Sequence, residues 1–222
     1  MTSSQLDATV QLDATVAQIK AAGLIAIVRG NFSLSQLLAI ADTLQAAGIM
    51  LMEVTLNTPN ALEAIAQLGR QQENRMLIGA GTVRTAQQVE QAAAAGARFT
   101  IAPNFDPQSA ARAHARGLLH LPGVFTATEA QSAHAAGCRL LKLFPADALG
   151  PGYLKALRAP LNDIDFVPTG GINAETLPAY HQAGAAAFGI GSALVRGPGQ
   201  SLDELHHSAQ ELHRVWRATQ LR

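Results

Sequence analysis

Eight short apolar runs recur along the chain: LIAIVR, IMLMEVTL, MLIGAGTV, ARFTIAPN, GLLHLPG, RLLKLFPA, DFVPTGG and AAFGIGSA. Each is followed by a stretch in which apolar residues return every three or four positions. The runs read as buried strands and the stretches between them as helices laid against those strands. A glycine closes several helical stretches, in AAG at 46–48 and 94–96, ARG at 115–117, AAG at 135–137 and QAG at 182–184, where a left-handed cap is expected. Strand and helix alternating at intervals of roughly 20–25 residues predict parallel βα units. Eight such units in 222 residues predict an α/β fold: a single (β/α)8 TIM barrel forming one domain over residues 1–222. An open doubly wound sheet is the alternative. It lacks support, because VRGNFS rather than a G-x-G-x-x-G turn follows the first run, and IGAGTV holds only two of a dinucleotide fingerprint's glycines.

Ahead of the first run, QLDATVQLDATVAQI repeats a six-residue unit in tandem. Its Leu and Val positions are expected to form one face of a short helix, so residues 1–22 read as an N-terminal helical extension of the barrel.

The strand period of two turns this outline into chemistry. Ile25, Ile27 and Arg29 share one face of the first run, Ile49, Leu51 and Glu53 one face of the second, and Leu140 and Lys142 one face of the sixth. Each row is apolar until its polar member near the C-terminal end, where barrels of this kind carry their active sites. If these rows face inward, Lys142, Glu53 and Arg29 converge on one mouth. A lysine in an apolar cavity sheds its proton readily and becomes an amine nucleophile toward a ketone. Imine chemistry then needs a proton shuttle, and Glu53 suits it. Two glycine-rich turns, PTGGIN at 168–173 and GIGSAL at 189–194, each end a strand and open a helix, an arrangement that offers backbone N–H groups to a phosphate.

Composition narrows the partners. Sixteen basic residues balance sixteen acidic ones, so no overall field draws the chain to nucleic acid or to an anionic membrane. No run reaches the ~18 apolar residues of a membrane span. The N-terminus shows no basic region followed by an apolar one, and the lone cysteine, Cys138, has no disulfide partner, so a cytoplasmic location is expected. The seven histidines show neither H-x-H nor H-E-x-x-H spacing, so no metal site is expected. His120 is expected in the core or a pocket wall, and Cys138 as an inert small hydrophobe.

Taken in order, EVTLNTP, IGAGTV, PGVFTATE, LKLFPAD, PTGGIN and GIGSALV resemble the 2-keto-3-deoxy-6-phosphogluconate (KDPG) aldolases and their 6-phosphogalactonate (KDPGal) and 4-hydroxy-2-oxoglutarate relatives. The likeness runs from about residue 24 to the C-terminus. It implies a class I, metal-independent carbon-carbon lyase, a homotrimer of barrels without cofactor, acting on a phosphorylated 2-keto-3-deoxy sugar acid. By this resemblance Lys142 forms the Schiff base with pyruvate and Glu53 is the general acid/base. Arg29, Thr82 and Pro103 line the pyruvate end, with Phe144 beside the lysine. Gly123 and Thr126 form the pocket wall, and Gly170, Gly171, Gly191 and Ser192 form the phosphate loops. Asn57, four residues after Glu53, resembles the galactonate group and also some gluconate members, whereas FVPTGGIN and GSALV look more like the gluconate group. A non-catalytic sugar-phosphate-binding barrel is the remaining alternative, and it would be expected to lack Lys142 or Glu53.

Overall fold

A computed structural model describes the backbone over residues 3–73 and 75–221, with side chains from residue 10 onward. The strands are β1 (Leu24–Val28), β2 (Leu51–Thr55), β3 (Leu77–Gly81), β4 (Phe99–Ile101), β5 (Leu119–Leu121), β6 (Gly123–Val124), β7 (Leu140–Leu143), β8 (Asp165–Pro168) and β9 (Phe188–Ile190). The helices are α1 (Ser3–Ala22), α2 (Leu34–Ala46), α3 (Ala61–Gln71), α4 (Ala86–Ala94), α5 (Pro107–Ala115), α6 (Ala127–Ala135), α7 (Gly150–Arg158), α8 (Leu177–Gln182) and α9 (Leu202–Thr219). Every ladder is parallel, as the alternation predicts. All five glycines expected as caps, Gly48, Gly96, Gly117, Gly137 and Gly184, have positive φ.

The continuous eight-stranded ring is not what forms. The strands lie in a six-stranded sheet, ordered β5-β4-β3-β2-β1-β9, and a three-stranded sheet, β6-β7-β8. GLLHLPG, a single run in sequence, is two strands in the structure. Pro122 has no N–H to give to a ladder, so it divides β5 from β6 while its carbonyl still accepts from Lys142 N at 2.9 Å. At the other seam a single parallel bridge, Thr169 to Gly189, joins the two sheets. A side chain at Gly189 would meet the Thr169 hydroxyl at 2.3 Å, so glycine is what lets the two backbones approach. The result is an α/β fold whose parallel sheets curl around a common interior.

Two apolar clusters arise from strand parity. Ile25, Leu51, Phe99, Ile101, Leu121, Leu140 and Val167 fill the interior. Their sequence neighbours Ala26, Val28, Met52, Val54, Leu141 and Phe166 pack outward among the helices. The inward-facing rows are therefore the ones the sequence predicts except at Ile49, which lies before β2 begins, outside the strand's alternation, and packs in the helix-side cluster. Ile19 of α1, fully buried, reaches into the interior cluster with Leu12 and Val16 packed beside it. Arg139 to Asp13 and Lys20 to Asp165, both 2.6 Å, tie the helix to the starts of β7 and β8.

The tandem repeat does not share one face. A six-residue shift turns a helix by about 240°, so Val16 packs inward while Val10, its counterpart in the first copy, is 67% exposed. The Leu6 side chain lies outside the described residues. The residues just after the second copy fix the register: sliding α1 by one repeat would bring Asp13 to the place of Ile19 and bury a carboxylate among leucines. Among the described residues no helix is long and apolar enough to cross a membrane.

Candidate active site

Glu53 and Lys142 are 1% and 5% exposed, each following the apolar members of an inward row. Glu53 on β2 stands in register with Ile27 of β1 and Gly79 of β3. Lys142 on β7 stands in register with Gly123 of β6 and Val167 of β8. The carboxyl of Glu53 lies flat against Gly81, where a Cβ would come within 2.7 Å of its Cδ. The second G of IGAGTV thus makes room for the acid rather than for a dinucleotide. Among the described residues Glu53 Oε2 has no hydrogen-bond partner. Lys142 Nζ sits 4.7 Å from the centroid of the Phe144 ring, a cation–π distance.

Burial, charge and geometry set the two groups against each other. Burial lowers the proton affinity of Lys142; the carboxylate of Glu53 opposes that shift and the guanidinium of Arg29 adds to it. Burial raises the proton affinity of Glu53, against the pull of Lys142 and Arg29. A buried amine that gives up its proton beside an acid that accepts one is the pairing a nucleophilic amine requires.

A cavity of about 520 Å³ reaches this pair through their neighbours, Ile27 in register with Glu53 and Phe144 under the Lys142 ammonium, while Glu53 and Lys142 themselves are not in its lining. Arg29, Phe144, Gly170, Gly171, Gly191 and Ser192 line it, so the two glycine turns and the polar end of β1 meet. Gly170 and Gly171 have φ of 101° and 68°, backbone that few other residues adopt. Asn173 and Arg196 also line the cavity. Arg196 is a site residue that the sequence motifs miss. Its signal is a cation placed just past the second glycine turn, in LVRG, the counterpart of IVRG in the first run.

The remaining predicted residues lie outside that wall. Thr82, next to Gly81, has φ of 58°, and a β-branched residue held there stores local strain of the kind that collects at functional sites. Pro103 is half-buried, and its carbonyl would lie 2.2 Å from a Cβ at Gly123, so these two pack on each other. Thr126 is exposed and caps α6: its hydroxyl accepts from Glu129 N while Glu129 accepts from the Thr126 backbone.

His120 is buried on the outward face of β5, with Nδ1 2.9 Å from the Thr100 hydroxyl and Nε2 without a partner among the described residues. Burial pushes it down from 6.5 to about 4, against the pull of Asp106. The unfolded chain takes up this proton below about pH 6.5 and the folded chain only near pH 4, so the neutral ring's contribution is full above 6.5 and lost as the pH falls. Urea unfolding is expected to show wild type losing about 2 kcal/mol more than His120→Leu between pH 7 and pH 5. Parallel stability curves for the two proteins would refute the buried neutral ring. Burial also pushes the Cys138 thiol up to about 11, which leaves it inert. Among the described residues no group of three or more His, Cys, Asp or Glu side chains is arranged to hold a metal ion.

Comparison with known proteins agrees with this geometry. The family described as KDPG and KHG aldolase matches residues 15–206. A probable 2-dehydro-3-deoxy-6-phosphogalactonate aldolase of Rhizobium meliloti is 37% identical over 84% of this chain and 87% of its own. A 2-dehydro-3-deoxy-phosphogluconate aldolase of Treponema pallidum is 43% identical over 64% of this chain and 67% of its own. The KDPG aldolase of Legionella pneumophila, solved with pyruvate captured as a covalent carbinolamine intermediate, superposes with a TM-score of 0.76 at 32% identity, covering 92% of this chain and 97% of that one. The parallel α/β fold, the buried lysine and acid and the match over most of the chain agree: it belongs to the KDPG and KHG aldolase family.

Proposed function

We propose that this chain is a class I, metal-independent aldolase that cleaves 2-keto-3-deoxy-6-phosphogluconate to pyruvate and glyceraldehyde 3-phosphate. The observation that carries it is a buried lysine paired with a buried acid beside a cavity whose far wall is two glycine turns. Lys142, as the free amine, attacks the C2 ketone, and Glu53 assists loss of water from the carbinolamine. The protonated imine is the electron sink. Glu53, directly or through a water, takes the C4 hydroxyl proton, the C3–C4 bond breaks, and glyceraldehyde 3-phosphate leaves. Protonation of the enamine at C3 and hydrolysis of the imine release pyruvate and restore the amine. The backbone N–H groups of the turns at Gly170, Gly171, Gly191 and Ser192 hold the phosphate, and Arg196 at the cavity wall supplies its counter-charge.

The galactonate epimer is the second reading, favoured by the Rhizobium relative, whose match covers more of both chains than the gluconate relative from Treponema. Cleavage of 4-hydroxy-2-oxoglutarate needs the same lysine and acid and no phosphate turn. The homotrimer and the cytoplasmic location belong to this proposal and rest on the family alone. The test is intact mass after incubation with pyruvate and borohydride, with peptide mapping, followed by pyruvate release from each epimer. Reduction trapped on the Lys142 peptide, with faster release from the gluconate epimer, is the expected result. Faster release from the galactonate epimer would move the substrate, and a folded protein with no adduct would overturn the aldolase.

A further inference from the structure

Past the last ladder pair of β1 and β2, Val28 with Val54, the chain turns through Arg29 and Gly30. Gly30 has φ of 151°, and Arg29 itself is exposed. Two hydroxyls from the end of β2 and the turn after it hold the backbone on either side of this arginine. The Thr58 hydroxyl oxygen accepts from Gly30 N at 3.4 Å, the Thr55 hydroxyl donates to Val28 O at 3.4 Å, and the two hydroxyl oxygens are 3.1 Å apart. Each threonine has one proton to give. With that of Thr55 directed to Val28 O, that of Thr58 goes to Thr55, and the three bonds run one way from Gly30 to Val28.

Both threonines are buried, at 0% and 3% exposure. Thr55 lies two residues beyond Glu53, on the same inward face. Thr58 is brought beneath Gly30 by a tight turn in which its N–H donates to Thr55 O at 2.8 Å. One strand therefore supplies both the acid and the hydroxyl that fixes the backbone of the nearby cation. Glu53 and Arg29 are the charges that act on Lys142, and Lys142 and Arg29 those that act on Glu53.

We propose that Thr58, through Thr55, is a positioning residue that clamps the backbone on both sides of Arg29 and so sets how near the guanidinium stands to Glu53 and Lys142. This rests on the reading of Lys142 and Glu53 as the reacting pair. A guanidinium held close disfavours a second cation at Lys142. If the clamp is loosened and the guanidinium draws back, the amine keeps its proton to higher pH.

The experiment is the pH dependence of kcat/KM for Thr58→Val, Thr58→Ser, Arg29→Met and the double variant Thr58→Val/Arg29→Met, each with its Tm. Thr58→Val is expected to move the acid limb up by about half a pH unit and so to lower kcat/KM on that limb by about threefold. Thr58→Ser, which keeps the hydroxyl, is expected to restore both. Arg29→Met shifts the limb in the same direction, and the double variant adds no further shift. Should Thr58→Val fail to fold, Thr58→Ala reads the same shift. A lower Tm with an unshifted profile would overturn the clamp, as would a shift that adds to that of Arg29→Met. Borohydride trapping of pyruvate on wild-type Lys142 separates the two claims: an adduct with no pH shift in Thr58→Val rejects the clamp alone, whereas no adduct rejects the reacting pair and the clamp with it.

Discussion

Replacing Lys142 by Met is expected to abolish labelling by pyruvate and borohydride and to lower aldol cleavage by at least about 10⁴-fold. Methionine keeps much of the apolar stem against Phe144 and removes only the group that can form an imine. The chain has three lysines, so the adduct maps without ambiguity. Lys20 is paired with Asp165 at 2.6 Å and lies on α1, at the end of the strands away from the glycine turns, while Lys155 is exposed on α7. Neither stands beside an unpartnered buried acid. Removing one member of a buried pair usually strands the other charge. Here burial already raises the proton affinity of Glu53, and loss of the Lys142 charge, which opposes that shift, favours the neutral carboxyl further. The variant is therefore expected to fold, with a Tm close to wild type. An adduct persisting in Lys142→Met, mapped to another lysine, would remove Lys142 from the mechanism.

Much of this site is legible in the sequence because strand geometry is strict. A period of two puts Ile25 and Leu51 in the interior and carries Glu53 to the same face, so parity alone selects the inward polar groups. The glycine caps are legible for the same reason, since few residues other than glycine adopt that backbone. What escapes the pattern depends on contacts distant in sequence. Pro122 splits a run that looks continuous, because the effect of a missing N–H shows only once a neighbouring strand is there to receive it. The repeat in α1 looks like one apolar stripe until helical rotation separates its copies. Arg196 enters the site through the shape of the loop beyond β9, which no local period encodes. Thr126 shows the converse: PGVFTATE matches the family, yet the hydroxyl caps α6. The epimer preference is finer still, since a few hydrogen-bond directions at one carbon decide it, and related chains of both kinds share this scaffold.

Glu53→Gln is expected to separate imine formation from bond cleavage. The amide is nearly the size of the carboxyl, so it fits against Gly81 without disturbing β3. It can neither take the C4 hydroxyl proton nor return one to the enamine, and aldol cleavage is expected to fall by about 10³-fold. The effect on Lys142 runs the other way. The Glu53 carboxylate favours the protonated amine, so its loss leaves burial and Arg29 to depress the lysine further. The free amine is then present at lower pH than in wild type, and the pH dependence of pyruvate trapping at a long end point is expected to move down the scale. Approach to that end point is expected to slow, because help in expelling water is lost. Labelling of Lys142 that survives, with cleavage lost and the trapping profile shifted toward acid, assigns Glu53 to proton transfer. Wild-type turnover in the variant would remove it from that role. Loss of labelling together with loss of Tm would instead make Glu53 a structural partner of the lysine.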